Sequence, residues 1–548
     1  MSMTPVYVLA LAAVILSTAF RLVSHAFFSP LAKIPNAHWS APLCRFWILR
    51  VRFTGRENRT LHHVHRRLGP VVRVAPNELS ISDIPSVRTV YQGGFDKPDW
   101  YSVFDNYGMP CMFSALGSRE HTARKKMISN VYSKTHVQSS PAAAAQARHI
   151  LYERLLPVLL RSMSKSQKPY GIDVYSLMMA AAMDFITAYI FGASNGTNFL
   201  LGRSERTHFL ELYQSRNDYG IYDQELPRLT AWCRKLGIPL YPWFVDYANT
   251  ELAAWNKKLC EKTSHFYETT GQDCASPLAG SADEPEVWQS LMKGMRKEKD
   301  TKGLHSALSA TALTNPSLTV YSEITDHILA GHETTGIALT YLTWRLSQNP
   351  ALQADLRHEL LTLQPTACLT DGVHAPAALP DVRQLDGLPL LHAVLQETLR
   401  LHAPIPGAQP RQTPALFCAL GPYAGIHAGV RVAATAYTLH RDERVFPDPE
   451  VWDPRRWLAA HATEDERRER NRQFWAFGSG GRMCIGSHFA MQEMKLITAL
   501  IYSNFTTHIV DDSGMDEQTD GYMGRPASEA LYLRFETVGP CFDDEKQE

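Results

Sequence analysis

A mainly α fold with small β-sheets (α+β), set behind one N-terminal transmembrane helix, is the architecture this sequence predicts. Three observations carry that expectation: an uncharged apolar run at the amino terminus, helical spacing of apolar residues from about Ala142 onward, and short β-branched segments between turn residues. The bulk numbers agree with one large globular body. Hydrophobic residues make up 45% and charged ones 20% of the 548 residues, which excludes wholesale disorder. The 55 basic and 55 acidic side chains cancel, so no nucleic acid partner is expected. Nine scattered cysteines, never spaced as a CxxC pair, give no zinc-type cluster and suit a reducing compartment.

Met1 to Phe20 contains no charge, and the apolar run reaches the roughly 20 residues of a membrane span if it continues to Phe28. No basic residue precedes it, unlike a cleaved signal peptide. Six basic residues and no acid lie between Arg21 and Arg56, which puts the body on the cytosolic side. The expected organisation is an anchor over 1–28, a hinge with Pro30 and Pro35 over 29–40, and a single body over 41–548. Within the body, Val71 to Val74 and Glu78 to Ser82, joined by Ala75-Pro76-Asn77, read as a β-hairpin. The polar interval Gly271 to Gly303 reads as an exposed loop. Leu318 to Leu346 carries the longest helical pattern, stopped by Asn349-Pro350. A further helix runs to about Leu401. Val430 to Ala436 suggests strand, and Gly486 to Phe505 a final long helix.

One segment outweighs the rest: Phe477-Gly478-Ser479-Gly480-Gly481-Arg482-Met483-Cys484-Ile485-Gly486. Its glycines let backbone approach a flat ligand closely. A single cysteine arrives just before a helix, where free N–H groups and the dipole stabilise a thiolate. Such a thiolate is either a nucleophile or a metal ligand. Arg482 suits a carboxylate better than it suits a reacting nucleophile. No other Cys or His stands at tetrahedral-site spacing, so a metal here would bring most of its own coordination, as haem does.

The segment resembles the haem-binding signature of the cytochrome P-450 family, F-G-x-G-x-R-x-C-x-G, at Phe477, Gly478, Gly480, Arg482, Cys484 and Gly486. Six fixed residues should arise by chance with a probability on the order of 10⁻⁵. The resemblance implies the cytochrome P-450 fold, with Cys484 as axial ligand of a haem b iron, Arg482 on a propionate and Phe477 beside the thiolate. Glu397-Thr398-Leu399-Arg400 resembles the E-x-x-R motif, its charges on one helix face. Pro454-Arg455-Arg456-Trp457 resembles P-E-R-F/W, with Arg455 in place of the usual glutamate. Together they imply a buried structural triad of Glu397, Arg400 and Arg456. Ala330 to Thr335 resembles A-G-x-[DE]-T-T. Gly and Thr weaken a helix middle, which a ligand groove would explain. By resemblance Thr334 hydrogen-bonds dioxygen and Glu333 supports proton delivery, while His332 turns away. His121 and Lys125 fall where the family often has W/H-x-x-x-R. Arg411 follows the proline stretch where a propionate-binding arginine often sits.

The general look is that of fungal microsomal enzymes. The resemblance therefore implies a monooxygenase in the endoplasmic reticulum membrane, facing the cytosol and acting on an apolar small molecule with O2. Fungal secondary metabolite biosynthesis is the expected setting. Electrons should come from an NADPH–cytochrome P-450 reductase carrying FAD and FMN, with cytochrome b5 as a second donor, because no internal G-x-G-x-x-G follows a strand. The reductase is expected on the Cys484 side, over a basic patch of Arg455, Arg456 and Arg467 to Arg472. Substrate contacts are expected from Tyr101 to Phe113, Ile328 to Thr335, Ile405 to Ala408 and Gly521 to Gly524. A reductase-independent isomerase or dehydratase keeps the same haem but typically alters the Thr334 position. A non-catalytic haem sensor or carrier is a third reading.

Overall fold

The computed structural model describes residues 4–163, 170–270, 278–370 and 374–538. The chain opens with a 25-residue helix, Thr4–Phe28, whose Leu11, Val14, Leu16 and Phe20 stand exposed. Its stretch Ala10–Phe28 has a mean hydropathy of 1.7 and is a candidate membrane anchor. Val174–Phe191 is nearly as apolar, but it is buried and serves as a core helix. The segment after the first helix packs onto the body. Pro30–Lys33 forms a short turn, and Leu31 and Ile34 are buried against the larger sheet.

That sheet has four strands in the order Val71–Ala75, Glu78–Ile81, Arg431–Ala433 and Arg411–Gln412. The first pair is the antiparallel hairpin expected from Ala75-Pro76-Asn77. Its second strand runs parallel to Arg431–Ala433, which is shorter than the run read from sequence. Smaller sheets join Ile172–Asp173, Tyr532–Thr537 and Phe505–Asp511, and Cys418–Leu420 with Tyr423–Ile426. Helices dominate the remainder.

The long helix, Pro316–Ser347, is 32 residues, about 48 Å at 1.5 Å per residue. It crosses the core beside Val174–Phe191. Two glycines permit that closeness: a Cβ at Gly331 would meet Ile186 Cγ1 at 2.8 Å, and one at Gly336 would meet Met179 Sδ at 2.5 Å. The glycine that weakens the helix thus serves packing against Ile186, itself part of a cavity wall. The helix Pro389–Leu401 and the last helix, Ser487–Asn504, complete this layer.

Two expectations are corrected here. The interval Gly271 to Gly303 is not a loop throughout, because Glu286–Lys302 is a helix that buries Val287, Trp288, Leu291 and Met295. Those spacings form one apolar stripe inside a strongly charged segment. The cysteines are not all unpaired either. Cys44, Cys111, Cys233, Cys260, Cys418 and Cys484 are free, whereas Cys368 is disulfide-bonded. Cys274 and Cys541 lie outside the described residues.

Candidate active site

The glycine-rich segment forms a loop whose shape follows from its composition. Gly478 and Gly480 have φ of +69° and +74°, a region other residues enter only with strain. A Cβ on Gly480 would also collide with the Tyr91 carbonyl. The Cys484 N–H donates to the Phe477 carbonyl at 2.9 Å and closes the loop. Ser487–Asn504 then begins, so the Gly486 and Ser487 N–H groups face the sulfur. Burial outweighs those donors and holds the Cys484 thiol above its ordinary value. The helix-end donors favour the thiolate, and burial opposes them. The thiol lies deep in the protein yet remains accessible, because it opens onto an internal hollow.

That hollow measures about 1370 Å³, counted to its open mouth, and Cys484, Phe477 and Arg482 form one wall. The opposite wall belongs to the long helix: Ala330, Gly331, Thr334, Thr335 and Ala338. Thr334 Oγ1 donates to the Ala330 carbonyl at 2.7 Å and faces the cavity. Glu333 turns the other way, where it accepts a 2.6 Å bond from the Tyr213 hydroxyl. Burial first, with that bond opposing it, leaves the Glu333 carboxyl above the usual range. His332 is buried between the edges of Phe209 and Tyr213, away from the hollow, as its helical position predicts.

Below the loop, the helix Pro389–Leu401 supplies a fully buried pair. Arg400 Nε and Nη2 donate to Glu397 Oε2 and Oε1, both at 2.8 Å. Arg456 Nε, Trp457 Nε1 and the Asp453 N–H each add a 2.9 Å bond to the same carboxylate. The triad reaches the loop through His440, which bonds the Arg400 carbonyl by Nδ1 and accepts the Trp475 N–H on Nε2, both at 2.8 Å. The helix thereby sets the height of the segment carrying Cys484.

Basic side chains converge on one edge of the hollow. His121 and Lys125, from the helix Ser118–Ile128, line it with Arg482, and Arg411 lines the adjoining recess. Arg482 donates to the Ala115 and Leu116 carbonyls at 2.6 Å each, with Asp96 at 3.7 Å. Lys125 donates to the Gly481 carbonyl at 2.8 Å, and Arg411 to the Tyr101 hydroxyl at 3.0 Å. Lys97, which no motif marks, donates to the Phe113 carbonyl and lies over the Tyr101 and Phe113 rings. Among the described residues, no carboxylate stands within ion-pair distance of Lys97, Lys125 or Arg411. The result is a strongly positive edge. Burial, followed by Arg482, Lys97, Lys125 and Arg411, drives the His121 imidazole down to about 3.

The proposed basic patch does not form. Arg456 is engaged with Glu397, and Arg455 pairs with Asp453 at 2.8 Å. On the helix Glu464–Gln473, Arg467 and Arg468 pair with Glu464, Arg472 pairs with Glu469, and Arg470 is buried. Arg467, Arg468 and Arg472 each meet an acid three or four residues earlier, which neutralises their charge. The expected substrate segments are partly gathered. Met112, Phe113, Ile405 and Tyr522 line the hollow, whereas Ile328 lines a separate recess with Trp255. No cluster of His, Cys, Asp and Glu able to hold a bare metal ion occurs among the described residues.

A family model described as Cytochrome P450 matches residues 41–532. The chain belongs to the cytochrome P450 family. The cytochrome P450 monooxygenase FGM1 of Gibberella zeae is 27% identical over 537 residues, 96% of each chain. The monooxygenase orf2 of Aspergillus niger is 26% identical over 89% of each chain. The monooxygenase tazI of Aspergillus terreus is 25% identical over 87% of this chain and 88% of its own. This cytochrome P450 is thus a haem-thiolate monooxygenase of fungal kinship, using iron, O2 and reducing equivalents from a redox partner. Its residues fit a haem: one sulfur faces the hollow, and Lys97, Lys125 and Arg411 at its edge lack, among the described residues, the acids that a propionate pair would supply.

Proposed function

We propose that this protein is a membrane-anchored monooxygenase that inserts one oxygen atom of O2 into an apolar small molecule, by hydroxylation, epoxidation or multistep oxidation, in fungal secondary metabolism. The single observation that carries the reading is the Cys484 thiol facing a cavity at whose edge Lys97, Lys125 and Arg411 have, among the described residues, no carboxylate within ion-pair distance. Cys484 would be the axial ligand of haem b. Arg482, Arg411, His121 and Lys125 would hold its propionates, and Phe477 would shield the sulfur from water. The bound haem activates O2 with electrons that originate in NADPH and arrive through a flavoprotein reductase, with cytochrome b5 as an auxiliary donor.

The chain's own residues then manage substrate and protons. Phe113, Ile405 and Tyr522 exclude water and orient an apolar substrate. Thr334 holds an exchangeable proton at Oγ1 on the cavity wall. Glu333, behind the same helix turn, resupplies it from the Tyr213 side. The triad of Glu397, Arg400 and Arg456 fixes the Cys484 loop and takes no part in chemistry. Thr4–Phe28 would anchor the chain in the endoplasmic reticulum, with residues 29–40 joining it to a cytosolic catalytic domain over 41–548. In the test, purified wild type gives the red-shifted Soret band of a reduced carbon-monoxide complex. Cys484→Ala loses that band and its turnover; retention of both would refute the reading.

A further inference from the structure

A second cleft, of about 710 Å³ counted to its open mouth, shares no residue with the hollow that Cys484 lines. Its walls include Arg345 from the end of the long helix, His402 just past Pro389–Leu401, and Asn58 and Arg59 from the helix Glu57–Leu68. The Arg345 guanidinium lies 4.3 Å over the Trp344 ring and meets only neutral partners. Its Nε donates to His402 Nε2 at 3.1 Å and its Nη1 to Gln348 Oε1 at 3.2 Å. Among the described residues Nη2 has no protein partner, and no carboxylate stands within ion-pair distance. His402 is stacked on Tyr341 at 4.0 Å, and because its Nε2 accepts a bond, its ring proton sits on Nδ1. Asn58 is 1% exposed; its Nδ2 donates to the Gly521 carbonyl at 2.8 Å, and its Oδ1 has no partner. A buried amide oxygen left bare is costly unless a ligand donates to it. The acids of the cleft are mostly engaged. Asp520 accepts the Asn58 and Arg59 N–H groups at 2.7 and 3.1 Å, and Glu450 pairs with Arg441 at 2.8 Å, while Asp516 is exposed.

We propose that this cleft binds a phosphate group that still carries a hydroxyl proton, either inorganic phosphate or a monoester. The inference stands apart from the monooxygenase reading and uses none of its residues. The Arg345 guanidinium and the His402 N–H donate to the charged oxygens, and Arg59 adds a second cation. The phosphate hydroxyl donates to Asn58 Oδ1 and completes the orphaned acceptor. Sulfate, carboxylates and phosphodiesters satisfy the same donors but bring no hydroxyl, so they leave Asn58 bare. A sulfate dianion also meets Asp516 and Asp520 as like charges. Bound phosphate joins the long helix to two loops of the hollow, because Pro406 and Asp520 line the cleft while Ile405 and Tyr522 line the hollow.

The test is equilibrium dialysis of radiolabelled inorganic phosphate against the haem-loaded full chain, at fixed ionic strength in chloride. Loaded haem covers the basic edge of the hollow and removes it as a competing site. Saturable binding is expected, displaced by glycerol 3-phosphate and about tenfold less well by sulfate or dimethyl phosphate. Arg345→Gln should weaken it about tenfold. Absence of saturable binding, equal displacement by sulfate, or unchanged affinity in Arg345→Gln overturns the proposal. If that variant does not retain haem, Arg59→Gln decides, since Arg59 is half-exposed and its loss spares the core. Weaker phosphate binding in Arg59→Gln then sustains the proposal, and unchanged binding overturns it.

Discussion

Two buried carboxylates, one below the Cys484 loop and one behind the long helix, receive opposite treatment. Glu397 accepts two bonds from Arg400 and one each from Arg456, Trp457 and the Asp453 N–H. Glu333 accepts one, from Tyr213. A carboxylate has room for about four lone-pair contacts, so the first is saturated and the second is short of partners. The difference teaches what each region is for. A saturated acid cannot change its partners without losing several, which fixes geometry. An under-bonded acid held above its ordinary value can take and release a proton at little structural cost.

The comparison breaks most visibly at the saturated site. Glu397→Gln leaves Arg400 and Arg456 without their shared anion and should cost about 3–5 kcal/mol, read from denaturant unfolding of the haem-loaded protein. A loss below about 1 kcal/mol would mean that the floor stands without it. Next in size is Gly480→Ala, which forces a side chain into left-handed backbone against the Tyr91 carbonyl; about 2 kcal/mol and a fall in haem content are expected. Gly481, with open space around its Cβ direction, is the control, and its alanine variant should load haem normally.

Tyr213→Phe tests the other side. Losing the hydroxyl should cost about 1 kcal/mol. Because that bond lowers the Glu333 pKa, its loss moves the carboxyl further up. An acid whose pKa is higher folded than unfolded stabilises the fold below the ordinary carboxylate range and loses that contribution as pH rises through the folded value. The variant's unfolding midpoint should therefore decline with pH over a window extending higher than in wild type; coincident pH profiles would remove Glu333 from the argument. Thr334→Ala should be the mildest for the fold, within about 0.5 kcal/mol. It should nevertheless separate NADPH consumption from product formation, and unchanged coupling would count against the role given to Oγ1.

The parts that were legible in the sequence are those where one physical constraint acts on neighbouring residues. The Cys484 loop needs its glycines at fixed offsets, and the Glu397–Arg400 pair needs i and i+3. The long helix shows its spacing over 32 residues. Legibility failed where the deciding partner is remote or camouflaged. Lys97 and Asp326 belong to no motif, and only the folded chain brings them to the cavity that Cys484 lines. The helix Glu286–Lys302 hides four apolar residues among charges, so composition read as loop. In linear order the arginines from Arg467 to Arg472 suggest a docking patch, whereas on a helix Glu464 and Glu469 become face neighbours of Arg467, Arg468 and Arg472.

One contact at the start of the chain constrains anyone who shortens it. Arg73 is wholly enclosed, and its guanidinium donates to the Ala26 carbonyl at 3.1 Å and the Pro76 carbonyl at 2.8 Å. His25 reaches the same Pro76 oxygen at 3.1 Å. A soluble version trimmed beyond Ala26 would strip an acceptor from a trapped cation, so the safe cut for expression lies upstream of His25, inside the greasy rod rather than at its end.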